Sequence, residues 1–385
     1  MRYLTLSIKL TIQLLLATLT LSACSTTAVH INTNEQASLW QDQTYAYNKN
    51  ADIIPQSELF RLDDELKSSL NTPEVRALVG QDKVNFFLRY FYRLGSNVFP
   101  YQSNLSTIPS VTWKNKQGDC ISLTLLSYAI GKELKLDINM QEVKVPIQID
   151  RRGNVDYLSG HVNAIILDAP YVNNDSEMVQ KYLTIDFSDL PTTSRLGNRL
   201  KENQIAARFY NNMGVKNYLD KNPNLAYHYF KTAIELDADY QATYINLAQL
   251  YSSSNLYTAA ELVLTTALKL NYDNFIALNS LKELYTSSGR IELSEQMKEL
   301  IIKSNQKNPY YWVGLGLNEM KNKNYKLAIS HLEKANQLTQ GFIEIHQNLA
   351  DAYFQLGDIA NGKMQLKEIR ALAPNHPKLR FEKNF

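Results

Sequence analysis

The chain has 385 residues, of which 44% are apolar and 20% charged, with a formal net charge of +2. That length allows two or three domains, and the composition is that of ordinary globular protein. With no long basic block and almost no net charge, nothing in the sequence provides an electrostatic basis for binding nucleic acid.

The first residues read MRYLTLSIKLTIQLLLATLTLSACSTT. Arg2 and Lys9 precede an apolar run, Leu10 to Leu21, that is too short for a comfortable membrane span and matches a signal-peptide core. The stretch LSAC, Leu21 to Cys24, resembles the lipobox of bacterial lipoproteins. That resemblance implies a signal peptide over residues 1–23 and a lipid on Cys24. Each buried methylene of such a lipid adds about 0.8 kcal/mol to membrane binding. Ser25 follows the cysteine where aspartate would retain the protein at the inner membrane. The resemblance therefore implies the cell envelope, at the outer membrane of a Gram-negative bacterium, with the lipid as the contact to membrane. Residues 24–56 are polar and without sustained periodicity, which predicts a tether.

From Ser57 the pattern turns helical. SELFRLDDELKSSL is followed by EVRALVGQDKVNFFLRYFYRLG, with Ser57 as the expected cap of the first helix, Thr72 as that of the second and Pro73 at its first position. After a loop, a helix is predicted from about Cys120 to Leu134. It is apolar over most of its surface, the mark of a buried central helix. Strand-like segments follow at Ile138–Val145, His161–Leu167 and Lys181–Phe187, with a polar turn at DRRGN. Helices followed by strands predict an α+β domain over residues 57–200.

The chain has two cysteines, and a lipid on Cys24 would leave Cys120 as the single thiol. An unpaired thiol in an exported chain is a candidate nucleophile. Cys120 opens the predicted central helix, where the dipole and free N–H groups favour a thiolate. Gly118 would let a substrate backbone approach, and Gln117 and Trp113 are candidates for oxyanion support and for a wall. Asp119, as a helix cap, would partly offset the dipole. Of six histidines, His161 alone falls within residues 57–200, at the start of an apolar strand, and is the candidate base. In YLTIDF the alternation sets Leu183, Ile185 and Phe187 on one face and Tyr182, Thr184 and Asp186 on the other. Asp186 is therefore the candidate to orient His161, with Asp168 as competitor. One cysteine and one histidine, with no CxxC or HxxxH, are too few ligands for a metal site, and no other cofactor is expected.

The segments GDCISLTLLSYAIGKELKLDINMQEV, GHVNAIIL and YLTIDF together resemble the transglutaminase-like core, a relative of the papain-like cysteine proteases. The resemblance covers roughly residues 85–190. It implies Cys120 as nucleophile, His161 as general base and Asp186 as orienter, acting on amide bonds through a thioester as a peptidase, amidase or acyltransferase.

The rest of the chain is repetitive. Repeats starting at Ala207, Gln241, Phe275, Pro309 and Ile343 have a constant period of 34. Position 7 carries Met213, Leu247, Leu281, Leu315 and Leu349, and position 8 carries Gly214, Ala248, Lys282, Gly316 and Ala350. Position 20 carries Ala226, Ala260, Ser294, Ala328 and Gly362. Small residues at 8 and 20 let two antiparallel helices approach closely. The pattern resembles the tetratricopeptide repeat, and predicts an all-α solenoid over residues 207–376. The third repeat departs most, with Lys282, Ser294 and Lys298. The resemblance implies a concave groove lined by Asn211, Tyr218, Ile245, Gln249, Asn279, Glu283, Tyr310 and Leu317, a mixed apolar and amide surface suited to a polypeptide. The expectation is an envelope lipoprotein with a cysteine site and a groove recruiting a polypeptide partner or substrate. The alternative is a non-catalytic binding scaffold of an envelope assembly.

Overall fold

Local caps start the first helices of the α+β part. Asp63 Oδ1 accepts the Leu66 N–H at 2.7 Å and opens α1 (Asp64–Leu70). Thr72 caps α2 (Pro73–Arg76), with Pro73 at the first position, where its missing N–H costs nothing. They are followed by α3 (Gly80–Phe91), α4 (Pro109–Asn115) and the central helix α5 (Cys120–Glu133). The computed structural model describes residues 36–48, 53–93, 96–97, 99–102, 106–152, 155–167, 171–172, 178–179, 182–187, 197–270, 275–306, 309–339 and 343–372. The expected leader, Cys24 and Asp168 lie outside the described residues, as does everything after Leu372.

Helix α5 begins at Cys120 because Asp119 caps it, accepting the Ser122 N–H at 2.9 Å and the Ser122 hydroxyl at 2.8 Å. Ten of its fourteen residues are buried, as expected of a central helix. It lies on an antiparallel sheet in the order β3–β2–β1–β4, formed by β1 (Ile138–Arg152), β2 (Val155–Leu167), β3 (Tyr182–Ile185) and β4 (Asn198–Leu200). Gly131 makes that close approach possible, since a Cβ there would stand 2.7 Å from the Ile138 side chain. Strands β1 and β2 run further than the sequence indicated, so His161 lies inside β2 and does not open it. It pairs with Val143 at the edge of an irregularity in the ladder, beyond which Gln148 pairs with Ser159. Bulges of this kind re-aim side chains.

Ten helices of the described residues form the repeats in antiparallel pairs. These are α6 (Glu202–Leu219) with α7 (Pro223–Leu236), α8 (Gln241–Ser253) with α9 (Tyr257–Leu270), and α10 (Phe275–Ser287) with α11 (Ile291–Asn305). The series ends with α12 (Pro309–Lys321) beside α13 (Tyr325–Leu338), and α14 (Ile343–Gln355) beside α15 (Ile359–Leu372). The predicted small positions are contact points. A Cβ on Gly214 would stand 2.5 Å from the Phe230 ring, and one on Gly316 would stand 2.6 Å from Leu332. In the irregular third repeat, Ser294 is buried and shares a 2.7 Å hydrogen bond with Thr286, while Lys298 turns outward to Glu295.

Two features correct the expected domain plan. Helix α6 starts five residues before the first repeat position, and its Ile205, Ala206, Phe209 and Tyr210 share one core cluster with Ile121, Leu125, Met140 and Val162. The boundary drawn between residues 200 and 207 thus passes beside a continuous core. The expected tether also includes residues 36–48, which are packed chain. Leu39 and Tyr45 are buried in the core of the first repeats, because their apolar surface has Tyr227 and Tyr251 to cover it.

Candidate functional site

Three of the predicted residues converge. The end of β3 delivers Asp186 to His161, whose Nε2 lies 2.7 Å from Asp186 Oδ2. Of the face predicted to be core, Ile185 and Phe187 are buried in the apolar cluster but Leu183 is exposed at 37%, so the alternation holds only at the end of the strand, where Asp186 reaches His161. On the other side of β2, Thr124 of α5 donates to the Val162 carbonyl at 3.3 Å. The Cys120 thiol faces the Val162 backbone, so the sulfur lies near the residue that follows His161 in the strand.

Electrostatics at the thiol oppose a resting thiolate. Burial pushes the Cys120 thiol up to about 12, the Asp119 and Asp186 carboxylates push the same way, and the hydrogen bonds to the Val162 and Ile121 backbone offset them only in part. The cap that starts the helix is thus also a charge set against ionisation of the thiol.

Two residues missed by the sequence reading complete the polar chain. Asn163 Nδ2 donates to Asp186 Oδ2 at 2.9 Å, and Gln141 Nε2 donates to Asn163 Oδ1 at 2.9 Å. Gln141 Oε1 in turn accepts the Gly197 N–H at 2.8 Å. All three side chains, His161, Asn163 and Gln141, are buried. The available signal was the pattern HVN, two polar residues on one face of an otherwise apolar strand.

Other candidates are placed elsewhere. Trp113 belongs to an aromatic cluster with Tyr90 and Phe99, its ring centroid 2.8 Å from Lys116 Nζ. It packs in a different core cluster from Cys120. Gly118 is needed for packing more than for access, since a Cβ there would meet Ser122 at 2.7 Å and Thr112 at 3.3 Å. Gln117 is half-buried just ahead of the helix. Among the described residues no group of three or more His, Cys, Asp or Glu is arranged to hold a metal ion. Among them, too, no helix is long and apolar enough to cross a membrane.

The first two repeats reach into this region. Asn212 of α6 donates to Ser106 at 3.0 Å and to Asp119 at 3.5 Å, and Ser106 hydrogen-bonds Asp119 as well. Arg208 grips both oxygens of Glu142 on β1, at 3.1 and 2.8 Å, and Asp237 at 3.0 Å. The Tyr240 ring lies 4.2 Å over the same guanidinium.

Burial divides the predicted groove. Asn211 is buried and bonded to Asn246 at 2.9 Å, and Ile245 is fully buried, so neither lines an open groove. Tyr218 is half-buried against the cluster that holds Leu39 and Tyr45, and Gln249 has a buried side-chain oxygen. Further along, Asn279 is half-exposed and bonded to Lys282, while Glu283 and Leu317 are exposed, Leu317 at 41%. The side chain of Tyr310 lies outside the described residues.

The tetratricopeptide repeat family model matches residues 218–285 and 319–380. Among similar solved structures is YrrB, described as a TPR protein with an unusual peptide-binding site. It is 16% identical over 46% of this chain and 92% of its own, with a TM-score of 0.27. MamA from Desulfovibrio magneticus RS-1 is 17% identical over 45% of this chain and 97% of its own, with a TM-score of 0.26. PilF of Pseudomonas aeruginosa is 17% identical over 45% of this chain and 79% of its own, with a TM-score of 0.27. No curated protein matches the chain. The C-terminal part of the chain is a solenoid of tetratricopeptide repeats.

Proposed function

We propose that the chain is a polypeptide-binding scaffold, held at the envelope by the lipid expected on Cys24, whose partner lies along repeats three to five. One observation carries this reading. Among the groove positions, Asn211 and Ile245 of the first two repeats are buried, while Glu283 and Leu317 of the later repeats are exposed. The partner is then an extended or helical segment with apolar and amide groups, matched to an aliphatic, amide-rich surface. The test is selection of a displayed random-peptide library on the purified chain. A consensus is expected whose binding is abolished by Leu317→Arg and unaffected by Cys120→Ala. Absence of any enriched consensus, or a consensus indifferent to Leu317→Arg, would overturn the proposal.

A second reading is favoured by the 2.7 Å contact of His161 with Asp186. With Nε2 facing Asp186, Nδ1 is the nitrogen to take the Cys120 proton. The sulfur would attack an amide carbonyl, the amine would leave with that proton, and water or a second amine would cleave the thioester. This transglutaminase-like chemistry requires substrate binding to relieve the high thiol value. A labelling rate for Cys120 by an acyl probe that falls on His161→Ala would support it, and equal rates would sink it.

A further inference from the structure

Residues 36–48 meet the first repeats in a way that differs from ordinary core packing. The contacts fall into main-chain bonds and side-chain pockets. The Tyr251 hydroxyl donates to the Leu39 carbonyl at 2.9 Å, the Tyr227 hydroxyl accepts the Gln41 N–H at 2.9 Å, and His228 Nε2 accepts the Asn48 N–H at 2.9 Å. These bonds read a backbone and are indifferent to sequence. Side chains supply the selection. Asp42 accepts from Lys231 Nζ at 2.8 and 2.9 Å and from the Tyr227 hydroxyl at 2.7 Å. Tyr45 stacks on Tyr227 with centroids 4.8 Å apart and hydrogen-bonds Ser254 at 2.9 Å. Tyr47 stacks on His228 at 4.8 Å, under Lys231 Nζ at 3.8 Å. Main-chain bonds for affinity with separate pockets for spaced side chains are how proteins hold peptides.

The receiving residues are organised in advance. His228 Nδ1 lies 2.7 Å from the Asn224 carbonyl of its own helix, which makes Nδ1 the donor and leaves Nε2 as acceptor for a peptide N–H. Lys231 is 6% exposed, and its charge needs a carboxylate once it is desolvated.

We infer that the face formed by Tyr227, His228, Lys231, Tyr251 and Ser254 is a peptide-binding site, filled in this chain by its own residues 39–48. Its ligand is a turn-forming peptide with an aliphatic residue, an aspartate three residues later, a tyrosine three further on and a second tyrosine two beyond that, since the occupying segment is closed by the Tyr45 N–H on the Gln41 carbonyl at 3.2 Å and the Tyr47 N–H on the Asp42 carbonyl at 2.9 Å. The ligand class is that of the scaffold proposed above, but the surface belongs to repeats one and two, so failure here leaves the reading of repeats three to five standing.

The probe is a synthetic peptide of residues 36–48, labelled for fluorescence anisotropy. It is titrated against the otherwise complete chain carrying Leu39→Ala, Asp42→Ala and Tyr45→Ala. Saturable binding is expected, with none to the unaltered chain, whose site is already filled. A peptide with Asp42→Asn should bind about tenfold more weakly, because a charge-assisted pair is lost. Circular dichroism shows whether the triple variant keeps its helices. If it does not, Asp42→Ala alone is titrated, with weaker but saturable binding expected. No binding to a folded variant, or equal binding to variant and unaltered chain, would overturn the inference.

Discussion

Repeats one and two differ from repeats three to five in what covers them. The first pair carries the α+β domain on one side, through Arg208, Asn212 and the cluster around Phe209, and residues 36–48 on another. Repeat three packs on repeat two, the later repeats pack on one another, and they expose Leu317, Ile302 and Leu327. One sequence pattern thus serves two purposes. The solenoid's beginning is a building element of the domain before it, and its end is surface available to another molecule.

The contrast can be broken first at the thiol, where the expected effect is largest. A thiol raised to about 12 holds on the order of a thousandth of the thiolate of free cysteine near pH 8. Alkylation of Cys120 by iodoacetamide should therefore be about a thousandfold slower than that of a free thiol, and should climb steadily with pH. A rate above free cysteine at pH 7 would give the covered half a chemical role and promote the thioester reading. Next comes Arg208→Ala. It strands Glu142 and Asp237 across the domain junction, with an expected loss of about 3 kcal/mol in urea denaturation. A loss below about 0.5 kcal/mol would mean that the junction is loose. Close behind it, Ile245→Ala should cost about 3 kcal/mol and Leu317→Ala less than about 0.5 kcal/mol, as burial and exposure require. Equal costs would erase the difference between the two halves.

The smallest effect concerns Asp42. Its burial opposes the charge, but bonds from Lys231 and Tyr227 and the Lys231 charge win and hold the carboxyl below its usual range. A carboxyl lowered on folding contributes stability above its unfolded value, near 3.9, and loses it as pH falls through the lowered value. The stability difference between the unaltered chain and Asp42→Asn should be constant from pH 7 to 5 and shrink below about pH 4. A difference that grows on acidification would reverse the sign and refute the pairing.

Much of this was legible in the residues because it depends on local spacing. The period of 34 located the repeats, and the glycines at Gly214 and Gly316 predicted where helices touch. Alternation in YLTIDF separated Asp186 from Ile185 and Phe187 though not Leu183 from solvent, and the scarcity of histidine singled out His161, which meets Asp186. What stayed hidden depends on contacts between distant segments. Asn211 and Ile245 occupy groove positions by number, but nothing local says that Asn246 and the cluster around Leu39 and Tyr45 bury them. Leu39, Tyr45 and Tyr47 follow neither a helical nor a strand period, so a docked segment looked like a tether. Asn163 was hidden by its apolar neighbours, and its partner Gln141 lies on another strand.

The most direct test places a photo-crosslinking amino acid at one position at a time in the full-length protein in its host: Leu317 and Glu283 on the open repeats, Ile245 and Asn211 on the covered ones. A discrete crosslinked polypeptide from the first two positions and none from the last two is the predicted result. Crosslinking from Ile245 or Asn211 with none from Leu317 or Glu283 would contradict the account.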